Sequence, residues 1–337
     1  MKSGQITIKD IARELKISPS TVSRALKNHP DISAETKFAV KQLAVKLDYQ
    51  PNSVAMSLRK SKTDIIGVII PKIVHHFFST IISGIEDVVN NAGYHVMICQ
   101  SNERYEREIS NTQALLSSRV DGFLVAISGE TRQYDHFRSV IKRNIPLVFF
   151  DRICEDLDTS SVVVDDFEGA FLAVEHLIAI GRRKIVHLEG PQNLVNCKGR
   201  KLGYMAALRK HGIAIDERLM INCGLLTEHG TKAAQYLLKE NISFDGIFSV
   251  SDPAAIGAML VLKNAGILVP NQVSIVGFSD EPITALLDPP LSTVYQPGFE
   301  MGQIASRMLL NQIKDDQYKK EKVVLKTSLI VRASSLR

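Results

Sequence analysis

From residue 64 onward, short apolar runs alternate with longer amphipathic stretches. The runs are DIIGVII, YHVMICQ, DGFLVAI, IPLVFFD, SVVVDD, RKIVHLEG, DGIFSVSD and VSIVGFSD. Strands of about four to eight residues that alternate with helical stretches of about a dozen are typical of parallel sheets covered by helices on both faces. The pattern therefore predicts an α/β fold for most of the chain.

The region with alternating apolar runs contains weak internal sequence repeats. DGFLVAIS is similar to DGIFSVSD, and IPLVFFD is similar to VSIVGFSD. We therefore expect two similar α/β lobes with two parallel sheets. A ligand is expected in the cleft between the lobes, beyond the carboxyl ends of the strands.

Polar and aromatic side chains follow several of these strands. Taken singly, each has an ordinary structural explanation, because an aspartate at a strand end often caps the next helix and a phenylalanine is usually in the core. Their shared location favours a ligand site, and an arginine between carboxylates suits a polyhydroxylated ligand because each hydroxyl both donates and accepts hydrogen bonds. The residues are Phe77, Phe78, Asp151, Arg200, Asp252, Ser279 and Asp280. The arginine alone would hold vicinal hydroxyls, a carboxylate or a phosphate equally well.

Catalytic and metal-binding motifs are missing from the sequence. There is no G-x-G-x-x-G after the first strand, no G-x-x-x-x-G-K-[ST] and no G-x-S-x-G. The cysteines Cys99, Cys154, Cys197 and Cys223 are widely spaced, which favours a reducing compartment over disulfides or zinc. No signal sequence and no apolar run of membrane-spanning length is present. We expect a cytoplasmic protein that is not an enzyme and uses no cofactor, metal or membrane.

The first 62 residues differ in charge from the rest of the chain. They contain twelve Lys and Arg against five Asp and Glu, a net charge of +7, whereas the whole chain has +5. A basic head on a near-neutral body favours a polyanionic partner, although a merely solvated basic surface would give the same charge.

The basic head has the pattern of three short helices. Thr7 can cap the first helix, with Asp10 at its third position, and Ser18 can cap the second, with Pro19 at its first position. Only KIS separates the two, and SAETKFAVKQLAVKL predicts a third helix. This is typical of a helix-turn-helix whose second helix enters the major groove of DNA. The alternative is a small packing domain.

The next segment, YQPNSVAMSLRKSK, predicts a short hinge helix. Asn52 can cap a helix of about seven residues, which is too short to be stable alone in water. We expect it to order where two copies lie side by side on DNA, with Leu58 as an apolar wedge in the minor groove. The alternative is a flexible linker.

The segments TIKDIARELKISPSTVSRALKN, YQPNSVAMSLR and IIGVIIP closely resemble the lactose/galactose repressor (LacI/GalR) family of bacterial transcription regulators. The resemblance extends over essentially the whole chain, including GRKLGYMAAL and LSTVYQP. It implies a homodimer, a head that reads a pseudo-palindromic operator in double-stranded DNA, and a body folded like a periplasmic sugar-binding protein. The implied effector is a small molecule, a sugar or sugar derivative.

The resemblance also implies roles for individual residues. Pro19 and Ser20 match base-reading positions, and Leu58 matches the minor-groove leucine of the hinge helix. The candidate DNA-binding residues are Thr7, Pro19, Ser20, Thr21, Ser23, Arg24, Asn28, Asn52, Ala55 and Leu58. The candidate effector-binding residues are Phe77, Phe78, Asp151, Asn196, Arg200, Leu225, Asp252, Ser279 and Asp280.

Two departures from the family pattern affect these assignments. Pro19 has no polar side chain, so Ser20 and Arg24 are expected to carry more of the base readout. Many relatives have Asp directly after the Gly-aromatic pair, where this chain has Ser279 and then Asp280. Which of the two faces the ligand is left open.

We divide the chain into a helix-turn-helix domain (1–50), a hinge (51–62) and an effector-binding and dimerisation domain (63–337). The expected lobes are an N-lobe of about 63–160 plus 293–320 and a C-lobe of about 161–292 plus 321–337. No leucine heptad follows KTSLIVRASSLR, so a dimer is expected rather than a coiled-coil tetramer.

The predicted function is a sequence-specific transcription regulator, a repressor of carbohydrate-utilisation genes, whose operator affinity is switched by the ligand in the cleft. The alternative is a sugar-binding protein without specific DNA readout.

Overall fold

The computed structural model describes residues 6–49, 62–315 and 317–336. The chain divides into two compact units, Met1–Thr63 and Asp64–Arg337, which we call the head and the body. Of the candidate residues, Asn52, Ala55 and Leu58 lie outside the described residues.

The described part of the head consists of three helices. They are α1 (Ile8–Glu14), α2 (Pro19–Leu26) and α3 (Ala34–Lys46). Both predicted helix starts are confirmed: Thr7 donates its N–H and Oγ1–H to Asp10 Oδ2, and Ser18 Oγ accepts from the N–H of Thr21 at 3.1 Å. The three helices bury one small apolar core, formed by Ile11, Ala12, Val22, Ala25, Val40 and Ala44.

Helix α2 ends at a residue with a left-handed backbone. Asn28 has a φ of 57°. Its N–H donates to the Ala25 carbonyl at 3.1 Å, and the N–H of His29 donates to the Arg24 carbonyl at 3.0 Å. These two bonds form a Schellman motif, and asparagine tolerates the left-handed region better than most residues. Asn28 therefore has a structural role in ending the helix.

The described strands of the body form two six-stranded sheets. The first contains β1 (Ile65–Ile70), β2 (His95–Gln100), β3 (Gly122–Val125), β4 (Leu147–Phe150), β5 (Ser160–Val164) and β11 (Lys322–Leu325). The second contains β6 (Ile185–Glu189), β7 (Met220–Asn222), β8 (Gly246–Ser249), β9 (Ser274–Ser279), β10 (Ser292–Tyr295) and β12 (Ser328–Ile330). The eight predicted strands are confirmed as β1 to β6, β8 and β9.

All strand pairs of the first sheet, in the order β11-β5-β4-β3-β1-β2, are parallel. The second sheet has the order β12-β10-β9-β8-β6-β7. Its pairs are parallel except that the edge strand β12 runs antiparallel to β10. The α/β fold with two predominantly parallel sheets is therefore confirmed.

Helices cover both faces of each sheet and bury its apolar side chains, as expected for nearly continuous apolar strands. Around the first sheet lie α4 (His76–Asn91), α5 (Tyr105–Ser117), α6 (Asp135–Ile141) and α11 (Gly298–Lys314). Around the second lie α7 (Asp166–Ala179), α8 (Val195–Lys210), α9 (Thr227–Lys239) and α10 (Asp252–Asn264).

The chain crosses between the lobes three times, after β5, after β10 and after β11. These crossings shift the expected lobe boundaries. Residues 160–164 and 322–325 belong to the first sheet, and residues 292–295 belong to the second. The reason is strand pairing: β5 lies between β4 and β11, whereas β10 pairs with β9.

Glycines allow two pairs of helices to touch along their backbones. A Cβ at Gly257 of α10 would overlap the carbonyl oxygen of Thr227 in α9, and one at Gly230 of α9 would overlap that of Ala254 in α10. The pair α4 and α11 meets in the same way, through Gly84 and Gly302. Close-packed interiors leave no room for added atoms at such points.

A buried histidine in the second lobe makes stability depend on pH. The His187 ring stacks on Tyr204 and on Phe248, both at a centroid distance of 5.0 Å. Burial lowers the pKa of His187 to about 3. In the unfolded chain, the His187 ring takes up a proton below its ordinary pKa of 6.5, whereas the folded chain excludes that proton. The contribution of the neutral, buried His187 to the free energy of unfolding is therefore fully present above that pH and is lost on acidification.

We expect acidification from pH 7 to 5 to cost the wild type about 2 kcal/mol of unfolding free energy through this one group. His187→Phe should remove that part of the pH dependence, as measured by urea denaturation at both pH values. The exposed His95 provides the matched control, and His95→Gln should keep the wild-type slope. Equal slopes in the wild type and His187→Phe would contradict the assignment.

Candidate functional site

A cavity lies between the two lobes of the body, at the carboxyl ends of their strands. It contains about 480 Å³ of empty space, part of which is open to solvent. It is lined by His75, Phe77, Phe78, Asp151, Arg152, Asn196, Arg200, Leu225, Ser251, Pro253, Ser279, Glu281 and Gln296. The structure thus brings together seven of the nine candidate effector-binding residues: Phe77, Phe78, Asp151, Asn196, Arg200, Leu225 and Ser279.

The other two candidates, Asp252 and Asp280, do not line this cavity. Asp252 is fully buried and accepts hydrogen bonds from Thr293 Oγ1 at 2.6 Å and from the N–H of Glu281 at 2.9 Å. Asp280 pairs with Arg332, whose Nη2 lies 2.7 Å from its Oδ1. Both carboxylates are used by partners within the second lobe, so the structure does not bring them together with the other seven candidates. At the end of β9 it is Ser279 that faces the cavity.

The aromatic wall of the cavity comes from the start of α4. The rings of Phe77 and Phe78 are 5.7 Å apart between centroids and are tilted by 57°. Arg152 lies over the Phe78 ring at 5.6 Å. Tilted aromatic rings offer apolar faces to the carbon skeleton of a small molecule.

Arg200 is held rigidly in the wall of the second lobe. Its Nε and Nη2 both lie 2.8 Å from Oδ1 of Asp166, and its Nη1 donates to the Val250 carbonyl at 2.6 Å. The guanidinium stacks 3.6 Å above the ring centre of Phe278. Burial raises the pKa of Asp166 to about 7, although Arg200 acts in the opposite direction.

A second ion pair, between the buried Arg152 and the half-buried Glu103, lies on the side of the first lobe. Arg152 Nη1 is 2.9 Å from Oε1 and 2.7 Å from Oε2 of Glu103, whose Oε2 also accepts from the N–H of Gly129 at 2.7 Å. Burial acts to raise the pKa of Glu103, but the Arg152 charge and these hydrogen bonds outweigh it and hold that pKa below its ordinary value.

Two strand ends that line the cavity have unusual backbones. Asp151 after β4 has a φ of 57°, and Ser279 at the end of β9 has a φ of 132°. Neither is glycine, and such conformations concentrate at binding and catalytic sites. Burial raises the pKa of the Asp151 carboxyl, against the opposing effect of Arg152.

Six lining residues were missed from the sequence: His75, Arg152, Ser251, Pro253, Glu281 and Gln296. Arg152 directly follows a predicted residue, so its position was a usable signal. His75 and Glu281 contact each other across the lobes, with Nδ1 3.8 Å from Oε1. No local sequence pattern predicts a contact between residues so far apart in the chain. Burial lowers the pKa of His75.

In the head, the exposed side of α2 carries the candidate DNA-binding residues. Pro19, Ser20 and Arg24 are exposed, and Thr21 and Ser23 are half-buried. Arg24 forms no ion pair with any residue that the structure describes, so its charge is available to an outside partner. The Thr7 hydroxyl, by contrast, is engaged by Asp10.

The head and the body each match a known protein family. Residues 7–52 match the family described as bacterial regulatory proteins, lacI family. Residues 63–333 match the family described as periplasmic binding proteins and sugar binding domain of LacI family. The chain belongs to the LacI family. Within the described residues of this LacI-family chain, no helix has both the length and the apolar character needed to cross a membrane.

Several LacI-family relatives align with nearly the whole chain. The ribose operon repressor of Halalkalibacterium halodurans is 32% identical over 329 residues, which cover 98% of this chain and 97% of the relative. The solved lac repressor dimer, bound to operator and the anti-inducer ONPF, has a TM-score of 0.86 at 26% identity and covers 98% of this chain and 99% of that one. The transcriptional regulator CelR in complex with cellobiose has a TM-score of 0.76 at 26% identity, with the same coverage.

Proposed function

We propose that this chain is a repressor that binds a pseudo-palindromic DNA operator as a homodimer in the cytoplasm. Its operator affinity changes when a sugar or sugar derivative occupies the cleft, and its target genes serve carbohydrate uptake or breakdown. The observation that carries the proposal is that one chain combines a helix-turn-helix whose second helix exposes Arg24 with a two-lobed ligand cleft. The relatives named as a ribose operon repressor and a cellobiose-bound regulator support the ligand class.

The cleft is built to respond to a ligand because both lobes contribute to its walls. Contacts between the lobes already exist at its edges: Asn193 Nδ2 donates to the carbonyls of Gly129 and Thr131 at 2.9 and 3.0 Å, and His75 approaches Glu281. A ligand that touches both walls favours the lobe arrangement in which it makes more contacts. It can change operator affinity only by its difference in affinity for the two arrangements.

On the DNA side, we propose that Ser20 and Arg24 read bases while Thr21 and Ser23 contact the backbone. Leu58, together with Asn52 and Ala55, would act in the hinge; these three residues lie outside the described residues. Thr7 and Asn28 have structural roles in capping helices, and any DNA contact of theirs would be additional.

The proposal is tested by letting the purified full-length protein select fragments of its own genome at physiological salt, where nonspecific phosphate binding is weak. We expect the selected fragments to share a palindrome next to transport and hydrolase genes. The affinity of the protein for that palindrome should then change on addition of one of the sugars those genes handle. If no fragment is enriched with or without candidate sugars, the chain is a sugar-binding protein without specific DNA readout.

Arg24→Ala should weaken binding to the selected operator at least about tenfold, since one base or phosphate contact of arginine contributes about 1–3 kcal/mol and a dimer makes it twice. Fluorescence anisotropy with labelled operator at several salt concentrations measures the loss and the change in salt slope. Lys239→Ala, which removes the same charge from an exposed site of the body, is the matched control and should bind like the wild type. Equal losses in both variants would show that only net charge matters.

A further inference from the structure

The loop that follows β3 is held in the first lobe by two carboxylates. It consists of residues 128–131, and we call it the β3 loop. Glu103 accepts a hydrogen bond from the N–H of Gly129 at 2.7 Å, and Glu108 on α5 accepts one from the N–H of Ser128 at 2.6 Å. Hydrogen bonds from backbone N–H groups to carboxylates are among the stronger ones in proteins. Two successive N–H groups of the loop are therefore anchored by side chains.

Glu108 is the more extensively bonded of the two anchors. Its side chain is fully buried, and its Oε1 accepts from the Thr131 hydroxyl at 2.8 Å and lies 2.9 Å from Nε2 of His136. The Thr131 hydroxyl also lies 2.8 Å from that of Ser128. Burying a carboxylate is costly unless hydrogen-bond donors surround it in this way. Glu108 binds the first and the last residue of the β3 loop, so this one side chain fixes the shape of the loop.

The β3 loop also contacts the second lobe. The carbonyls of Gly129 and Thr131 both accept from Nδ2 of Asn193, at 2.9 and 3.0 Å. Asn193 lies just before α8, the helix that carries the cavity residues Asn196 and Arg200. An amide –NH2 group has two hydrogens, and it can use both only where two acceptors are held at a suitable separation. The contact between the lobes therefore depends on the shape of the loop.

We infer that Glu108 is a positioning residue of the cleft. It holds the β3 loop in the shape that lets Asn193 bind both carbonyls, and it thereby keeps the two lobes at their present separation without lining the cavity itself. Loss of Glu108 should weaken the binding of a ligand that touches both walls, because the lobes then spend less time in the arrangement that binds it. This consequence rests on the proposed function of the cleft. The positioning does not, because it is a contact within the protein.

Hydrogen exchange of the full chain, followed by mass spectrometry, tests the positioning in three segments. These are the β3 loop, residues 191–196 around Asn193, and the buried strand β8 as the reference. Glu108→Ala should raise the exchange rate at least about fivefold in the first two segments, because the loop loses its anchor and the second lobe loses its contact with the loop. The rate in β8 should stay at the wild-type value. Faster exchange in the β3 loop alone, or equally in all three segments, contradicts the inference.

Asn193→Ala removes the same contact from the side of the second lobe. It should raise the exchange rate in residues 191–196 but leave the β3 loop at the wild-type rate, because Glu103 and Glu108 still hold the loop. In the double variant, Glu108→Ala should add less than about twofold at residues 191–196, since the contact is already lost. Independent, fully multiplied effects at that segment would show that Glu108 does not act through the loop.

Glu108→Gln is the conservative variant. Its amide oxygen can accept from the N–H of Ser128 while its amide nitrogen donates to Thr131 Oγ1, so its exchange rates should stay within about twofold of the wild type. Glu106→Ala, at an exposed glutamate on the same helix, is the matched control and should exchange like the wild type throughout. A response of Glu106→Ala as large as that of Glu108→Ala would contradict the inference.

Thr131→Val is a milder change that keeps the test decisive if Glu108→Ala does not fold. It preserves the shape of the buried side chain but removes the hydroxyl contacts with Glu108 and Ser128. The exchange rate should rise about twofold in both the β3 loop and residues 191–196. Wild-type exchange in residues 191–196 of a Thr131→Val variant whose β3 loop exchanges faster would overturn the inference.

Calorimetric titration with ribose and cellobiose separates this inference from the proposed function. A sugar that binds the wild type should bind Glu108→Ala about tenfold more weakly. If the expected exchange pattern appears but the affinity for that sugar is unchanged, the positioning stands and the proposed binding between both walls fails. If a sugar changes operator affinity but the exchange pattern is missing, the proposed function stands and the inference fails. The exchange experiment needs no ligand, so it decides the inference even if neither sugar binds.

Discussion

Replacement of Arg200 by methionine should lower the free energy of unfolding by about 3–5 kcal/mol, because it leaves the buried Asp166 without its partner. The Val250 carbonyl also loses its donor. The loss should be smaller at pH 5 than at pH 8. Burial has already raised the pKa of Asp166 to about 7, so an unpartnered Asp166 can take up a proton in acid and avoid a buried charge. Urea denaturation at the two pH values measures both effects.

The double variant Arg200→Met with Asp166→Leu is the control for this prediction. If the destabilisation comes from an uncompensated carboxylate, removing that carboxylate should restore a large part of the stability, since apolar replacement of a buried ion pair is often neutral. A double variant as unstable as the single one would instead indicate that the packing of Arg200 on Phe278 is what matters.

Gly257→Ala is expected to destabilise the body by about 3 kcal/mol or more, or to prevent its folding, because the added methyl overlaps the Thr227 carbonyl of the neighbouring helix. The sign of the change in unfolding free energy is informative. In an exposed helix the same change would stabilise by about 1 kcal/mol.

Gly266, just beyond the end of α10, provides the matched control. It has a φ of +77° and no atom within 4 Å of an added Cβ, so Gly266→Ala should cost only about 1 kcal/mol through its backbone. Thermal unfolding of both variants distinguishes a clash between helices from backbone strain. Equal losses would show that the helices separate to admit the methyl.

The longer elements of the fold were predictable because their apolar patterns are local. Strands such as β1 and β9 and the caps Thr7 and Ser18 appear in the sequence at the positions where the structure has them. The short strands β7, β10, β11 and β12 were not predicted. They have three or four residues, and pairing with distant strands rather than composition makes them extended.

The cleft could be predicted from the sequence at the level of strand ends but not of side-chain direction. Asp151 and Asp252 both follow apolar strands, yet only Asp151 lines the cavity, while Asp252 turns to Thr293. The choice depends on which hydrogen-bond donors the neighbouring strand presents. The ion pair between Arg152 and Glu103 joins residues 49 positions apart, and no local pattern indicates it.

The three crossings between the lobes also determine the order in which a growing chain can complete its structure. The first lobe receives α11 and β11 only after the second lobe has been made through β10, and β12 is added to the second lobe last. Contacts between such distant segments form slowly. Neither lobe therefore has all of its described strands before residue 325 has emerged from the ribosome, so a ligand that needs both complete lobes cannot bind a shorter nascent chain.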